Sequence, residues 1–146
     1  MGGDHARQHS AWQHRMKLLR IAIAEDNWFA AEYLCSELGA LGHVVVGMVT
    51  TGEELIELVA REQPDLAMVD IRLGKGSDGL AAAMEIQQRF AVPAIAVTGH
   101  LTAAEAEAAE LLGLLSKPYT SASLRAVLDG AAEWLENRTG GPFQIR

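Results

Sequence analysis

Cysteine is almost missing from this sequence. Cys35 is the one thiol in 146 residues, so no disulfide framework can form within the chain, and a reducing, cytoplasmic setting is expected. Cys35 lies among apolar residues in a helical pattern and reads as an inert, buried thiol. Positive charge is short as well. Twelve Lys and Arg against nineteen Asp and Glu leave a net charge of −7, which excludes nucleic-acid binding by bulk charge, since that needs a basic face. No apolar run approaches the roughly 18 residues of a membrane span. The N-terminus lacks the continuous apolar stretch of a signal peptide. No repeat, low-complexity tract or second domain is visible, and no helix-turn-helix pattern follows Trp134.

What is present fits one soluble domain with ample chain for a single core. Residues 1–17 are rich in Gly, His, Gln and Arg and predict a flexible leader. The spacing of His5, His9 and His14 is irregular, so they read as scattered solvated histidines rather than a metal site. Residues 139–146 predict a flexible tail after Gly140-Gly141-Pro142. The domain is expected over 18–138.

Within it, strands and helices alternate. Leu18 to Ala24 is an apolar run ending at Glu25-Asp26. Asn27 to Leu41 is helical, with Ala30, Tyr33-Leu34, Leu38 and Leu41 as the inner stripe and Gly42 as C-cap. Val44 to Val49 is a β-branched strand. Thr51 and Glu54 form a capping box for a helix to about Glu62, and Pro64 enforces its end, biasing Gln63 to an extended backbone. Asp65 to Asp70 is the third strand, followed by a Gly-rich loop over Gly74–Gly79. Leu80 to Phe90 is helical, with Leu80, Ala83-Met84, Gln87 and Phe90 inward. Ala94 to Thr98 is the fourth strand. A capping box at Thr102 and Glu105 opens a short helix to about Leu111, and Leu112 to Ser116 is the fifth strand. Thr120 or Ser121 caps the last helix, whose stripe is Leu124, Val127-Leu128, Ala131 and Trp134-Leu135. Five βα units predict an α/β fold: a doubly wound parallel sheet between helical layers, three layers in all.

In such sheets ligands bind at the C-terminal strand edge. Glu25, Asp26, Asp70, Thr98 and Lys117 all stand at strand ends. With a strand order of 2-1-3-4-5, three carboxylates crowd one pocket. Like charges that close raise at least one pKa unless a cation is present. Magnesium suits the place, because it takes oxygen ligands and keeps water and phosphate oxygens in its octahedron. Carboxylates, lysine and hydroxyl make a phosphoryl-transfer set, with Asp70 as nucleophile and Thr98 and Lys117 on the phosphoryl oxygens. Taken singly, each has a plainer explanation: Asp26 as a helix cap, Asp70 as a loop entry, Thr98 as a strand exit, Lys117 as a surface lysine. Their joint position at one edge favours the site.

The pieces Ile23-Ala24-Glu25-Asp26, Met68-Val69-Asp70-Ile71-Arg72-Leu73, Ser77-Asp78-Gly79, Val97-Thr98-Gly99 and Ser116-Lys117-Pro118, at these spacings, resemble the receiver domain of bacterial two-component response regulators. The resemblance covers about Leu18 to Arg138. It implies a flavodoxin-like fold and a phosphoacceptor, Asp70, charged by a histidine kinase or histidine phosphotransfer protein. It implies magnesium held by Asp26, Asp70 and the backbone carbonyl of Arg72, with Glu25 acting mainly through water. It implies a cis Lys117-Pro118 bond that helps aim the lysine. In that family the positions matching Arg72 and His100 often flank the water path to the aspartyl phosphate, so the two read equally as tuners of phosphoryl lifetime or as solvated loop side chains.

Two departures stand out. The aromatic that the family places three residues before the lysine is Leu114 here, and Tyr119 lies on the wrong side of Lys117 to replace it directly. The loop after Asp70 is longer and richer in Gly than the usual form, which predicts mobility and a different partner surface. The leading expectation is a stand-alone signalling protein without its own output domain. It would turn over only its own phosphoryl group and act by protein–protein contact, with no direct nucleic-acid or membrane partner. It would be a monomer or a weak homodimer through the face of the fourth helix, fifth strand and fifth helix. The alternatives are a magnesium-dependent small-molecule phosphatase or phosphotransferase, and an unphosphorylated docking module.

Overall fold

Side-chain alternation along the strands decides which helices lie on which face. The computed structural model describes residues 18–138; the predicted leader with His5, His9 and His14, and the predicted tail, lie outside them. The strands are β1 (Arg20–Ala24), β2 (Val44–Val49), β3 (Leu66–Val69), β4 (Ala94–Thr98) and β5 (Gly113–Ser116). The helices are α1 (Trp28–Ala40), α2 (Gly52–Glu62), α3 (Gly79–Phe90), α4 (Ala103–Ala108) and α5 (Ser121–Asn137). All pairings are parallel, in the order β2-β1-β3-β4-β5, as expected.

Ile21, Ile23, Leu66, Met68, Ile95 and Val97 point to one face, where they pack with α1 and α5. Ala22, Ala24, Ala67, Val69, Ala94 and Ala96 point to the other, under α2, α3 and α4. Two helices leave space that large side chains fill; three helices lie close over small ones. With both faces covered, the inner strands are apolar throughout, which explains why they read as unbroken runs.

The same asymmetry rotates the helix stripes. On α3 the buried residues are Gly79, Ala82, Ala83, Ile86 and Gln87, with Leu80, Met84 and Phe90 only half-buried, because small residues must face the alanine side. Gln87 is tolerated inside because its amide donates to Glu110 O at 3.0 Å and its carbonyl accepts from Ala94 N at 3.0 Å. On α1 the buried set is Ala31, Leu34 and Leu38, and Tyr33 is exposed. Both predicted capping boxes form, at Thr51/Glu54 and Thr102/Glu105. Gln63 is left-handed (φ 46°), not extended, because its N–H closes α2 on Val59 O at 2.9 Å. α4 stops at Ala108, earlier than expected. Among the described residues no helix is long and apolar enough to cross a membrane.

One histidine is built into the frame. His43 Nδ1 accepts the Leu19 N–H at 3.1 Å, just before β1. Burial pushes its pKa below the ordinary 6.5, with Asp129 opposing in part. A base with a depressed folded pKa leaves the unfolded chain binding the proton more readily. Its contribution is therefore present above 6.5 and is lost as pH falls through the lower folded value. Thermal melts about one pH unit either side of 6.5 should show a lower Tm on the acid side, and His43→Gln should remove this part of the slope. An unchanged slope would separate His43 from the acid sensitivity.

Candidate functional site

Backbone bonds bring the candidate side chains together. Asp70 N–H bonds Ala24 O at 2.9 Å, so the end of β3 lies beside the end of β1. Glu25 N–H bonds Val49 O at 2.9 Å, and Lys117 N–H bonds Thr98 O at 3.2 Å. All five expected residues thus stand along one C-terminal sheet edge. Asn27, not Asp26, caps α1: its side chain accepts the Ala30 N–H at 3.1 Å. That leaves the Asp26 carboxylate free for the pocket.

Glu25, Asp26 and Asp70 each offer a carboxylate oxygen, and these oxygens lie within 4.8 Å of one another. Lys117 Nζ reaches Glu25 Oε1 at 2.5 Å and Asp70 Oδ2 at 3.1 Å. Glu25 is buried, and burial pushes its pKa up. The Lys117 hydrogen bond and the Asn27 N–H oppose that rise, while the Asp70 charge adds to it. Burial on its own would lower the Lys117 pKa, but its bonds to both carboxylates and their charges outweigh burial, and the net direction is up. The ammonium therefore stays charged between two acids. The donors are all oxygens, and Asp26 is exposed on the open side. Such a set fits a hard divalent cation that keeps part of its water shell, and is compatible with magnesium.

The Thr98 side chain is almost fully buried, and its hydroxyl accepts the His100 N–H at 3.1 Å. Arg72 and His100 are both exposed. The Arg72 N–H donates to Asp70 Oδ1 at 3.0 Å, and Arg72 bridges to Asp78. Three contacts tie the Gly-rich loop to the body of the domain. Gly74 N–H bonds Thr50 O at 2.9 Å, Gly52 N–H bonds Ser77 Oγ at 2.7 Å, and Leu73 is buried. A short 3₁₀ turn, Gly74–Gly76, carries Lys75 at φ 61°.

A sequence profile of the response regulator receiver domain matches residues 21–129. The chain belongs to this family. The phyllosphere-induced regulator PhyR of Methylorubrum extorquens is 34% identical over 116 residues, which cover 76% of this chain and 42% of that protein. The transcriptional regulatory protein PdtaR of Mycobacterium tuberculosis is 30% identical over 108 residues, covering 72% of this chain and 52% of that protein. The receiver thus spans about half the length of these curated relatives. Among solved structures, the signal receiver domain of a modulated diguanylate cyclase from Desulfovibrio desulfuricans superposes with a TM-score of 0.76 at 28% identity, covering 84% of this chain and 100% of that one. The PhyR receiver domain of Erythrobacter litoralis also gives 0.76 at 28% identity, covering 86% and 98%.

The Lys117-Pro118 bond is cis, as the resemblance implied. Leu114 is half-buried and lines a concavity of about 790 Å³ between α4, β5 and α5, together with Ala106, Leu111, Ala126 and Val127. Two residues carry more of the site than sequence reasoning assigned them. Gly79, at the start of α3, lies against the Asp70 backbone, where a Cβ would come within 1.9 Å of the Asp70 oxygen. Its signal was the Asp78-Gly79 pair, in which Asp78 caps α3 through the Ala81 N–H. Tyr119 lines a small cavity with Glu25, Asp70 and Lys117. Burial first, then the nearby Tyr33, Glu37 and Glu25, push its phenol up to about 12, so it stays neutral.

Proposed function

We propose that this receiver is a phosphoacceptor of a two-component or phosphorelay system, charged on Asp70 by a histidine kinase or histidine phosphotransfer protein. The observation that carries the reading is the placement of the Lys117 ammonium on Asp70 and Glu25, with Asp26 beside them. An Asp70 carboxylate oxygen attacks phosphorus, the P–N bond of the donor phosphohistidine breaks, and the imidazole leaves with its electron pair and takes up a proton. Lys117 follows the phosphoryl charge, and the Thr98 hydroxyl becomes a donor to a phosphoryl oxygen once it turns toward the pocket. Asp26, Asp70 and the backbone carbonyl of Arg72 would hold magnesium, with Glu25 acting mainly through water, and the ion would supply positive charge to the carboxylates and the phosphoryl oxygens. The signal then leaves by protein–protein contact. A metabolite phosphatase is disfavoured, because among the described residues the five βα units carry no inserted domain that could enclose a small substrate.

The test uses acetyl phosphate or beryllofluoride with magnesium. Wild type should take up one Asp70-dependent group, visible as a mass shift or as saturable binding, and Asp70→Asn should take up none. Equal uptake by both proteins would end the reading. Turnover of generic phosphomonoesters would favour the phosphatase alternative.

A further inference from the structure

Leu114 and Tyr119 flank Lys117 in sequence but belong to opposite faces of the sheet. Leu114 packs into the core under α2, α3 and α4. Tyr119 packs into the core of α1 and α5. The acids that Lys117 holds open onto the Tyr119 side. Glu25, Asp70, Lys117 and Tyr119 share the wall of one cavity of about 20 Å³, with Ala30 and Leu34 of α1.

From Tyr119 a chain of contacts runs outward. Its ring centroid lies 6.0 Å from that of Tyr33, tilted by 43°, within the attractive range for aromatic pairs. The Tyr33 hydroxyl donates to Glu37 Oε1 at 2.8 Å. The Ser121 hydroxyl, at the start of α5, donates to the same oxygen at 2.9 Å. The acid pocket is thus linked to both helices of this face. Leu114 is aliphatic and adds no polar group on the other face.

We propose that Tyr119 is the aromatic positioning residue of this receiver: it seats Lys117, and it passes the state of Asp70 to α1 and α5 rather than to the α4 side. This rests on Asp70 being the phosphoacceptor. The two states differ in what Lys117 holds. Without a phosphoryl group its ammonium divides between Glu25 and Asp70; with one, the added negative charge on Asp70 draws it off Glu25. Only Pro118 separates Lys117 from Tyr119, and its ring removes backbone freedom at φ. Lys117 and Tyr119 also line the same small cavity, so a shift of the lysine changes the packing at the Tyr119 ring, and through it reaches Tyr33, Glu37 and Ser121. The coupling needs no contact at Leu114, so an aliphatic residue there is tolerated.

The experiment is amide and tyrosine-ring NMR of the full chain with beryllofluoride and magnesium, in wild type, Asp70→Asn, Tyr119→Phe and Tyr119→Ala. Wild type should show Asp70-dependent shifts at Tyr33, Glu37 and Ser121. Tyr119→Phe should keep them, because it keeps the ring. Tyr119→Ala should lose them while retaining the shifts at Ile71 and Arg72, next to the binding group. If Tyr119→Ala does not fold, Tyr119→Leu fills the seat without a ring and should show the same loss. Shifts at Tyr33 and Ser121 that survive loss of the ring, or that are confined to Ala103–Ser116 in wild type, would overturn the proposal and leave the phosphoacceptor reading intact. Absence of any Asp70-dependent shift would overturn both.

Discussion

Gly79→Ala is expected to destabilise the receiver by about 3 kcal/mol or more and to lower Tm by roughly 10 °C. A Cβ at this position would lie 1.9 Å from Asp70 O, 2.9 Å from Asp70 C and 2.9 Å from Ile71 Cα. All three are backbone atoms, so no rotamer change can relieve the clash. The Gly79 N–H also bonds Ile71 O at 2.9 Å, which ties the start of α3 to the segment just after Asp70. Alanine must therefore lift α3 off the sheet edge or push Asp70 out of line. The first loses packing of Ala82 and Ala83; the second displaces the Asp70 carboxylate from the acid pocket. Beryllofluoride binding should weaken along with stability. Gly76 is the control. It has φ 69° and open space around a built Cβ, so Gly76→Ala pays only the backbone term of about 1 kcal/mol. If the two variants melted alike, close approach at Gly79 would not be what fixes α3 to Asp70.

This contact shows where sequence reading stops. The order of elements and the strand ends were legible, because each buried strand is an apolar run that stops at a polar residue on the ligand edge: Ala24 before Glu25, Val69 before Asp70, Val97 before Thr98. The joint position of Glu25, Asp26, Asp70, Thr98 and Lys117 followed from a parallel sheet once the strand order 2-1-3-4-5 was taken. What was not legible depends on contacts between distant segments. Helical periodicity cannot say that α3 must present Ala82 and Ala83 rather than Leu80 and Met84, since that is set by the alanine face of the sheet it meets. Glycine count spoke of freedom in the loop after Asp70 but not of its partners, Thr50 and Gly52, some two dozen residues earlier in the chain. Distance along the chain likewise hid Tyr119. It lies beyond Lys117 in sequence, yet the turn at Pro118 sets it beside Glu25 and Tyr33.

Lys117→Met should test the electrostatics of the pocket directly. Methionine keeps the length and the apolar stem but removes the ammonium. Glu25 and Asp70 are then left close together with side chains only 6% and 11% exposed. Breaking a buried pair typically costs 3–5 kcal/mol; Lys117 is 31% exposed, so water screens part of this, and a loss of about 2 kcal/mol at neutral pH is expected. The sign of the pH dependence follows from Glu25. Burial already holds its folded pKa above 4.5, and the Lys117 hydrogen bond is the largest influence opposing that rise. Removing the lysine lifts the folded pKa further. A carboxyl with a raised folded pKa stabilises the fold below its unfolded value and loses that contribution as pH rises through the folded one. The deficit of the variant against wild type should therefore be small in acid and grow toward neutrality, opposite in slope to the His43 effect. Magnesium gives the second axis. If Glu25, Asp26 and Asp70 hold the ion, adding it replaces the missing charge and should raise the Tm of Lys117→Met more than that of wild type. A deficit that ignored both pH and magnesium would reduce Lys117 to a spacer, and the convergence of charges at this sheet edge would no longer support phosphoryl chemistry.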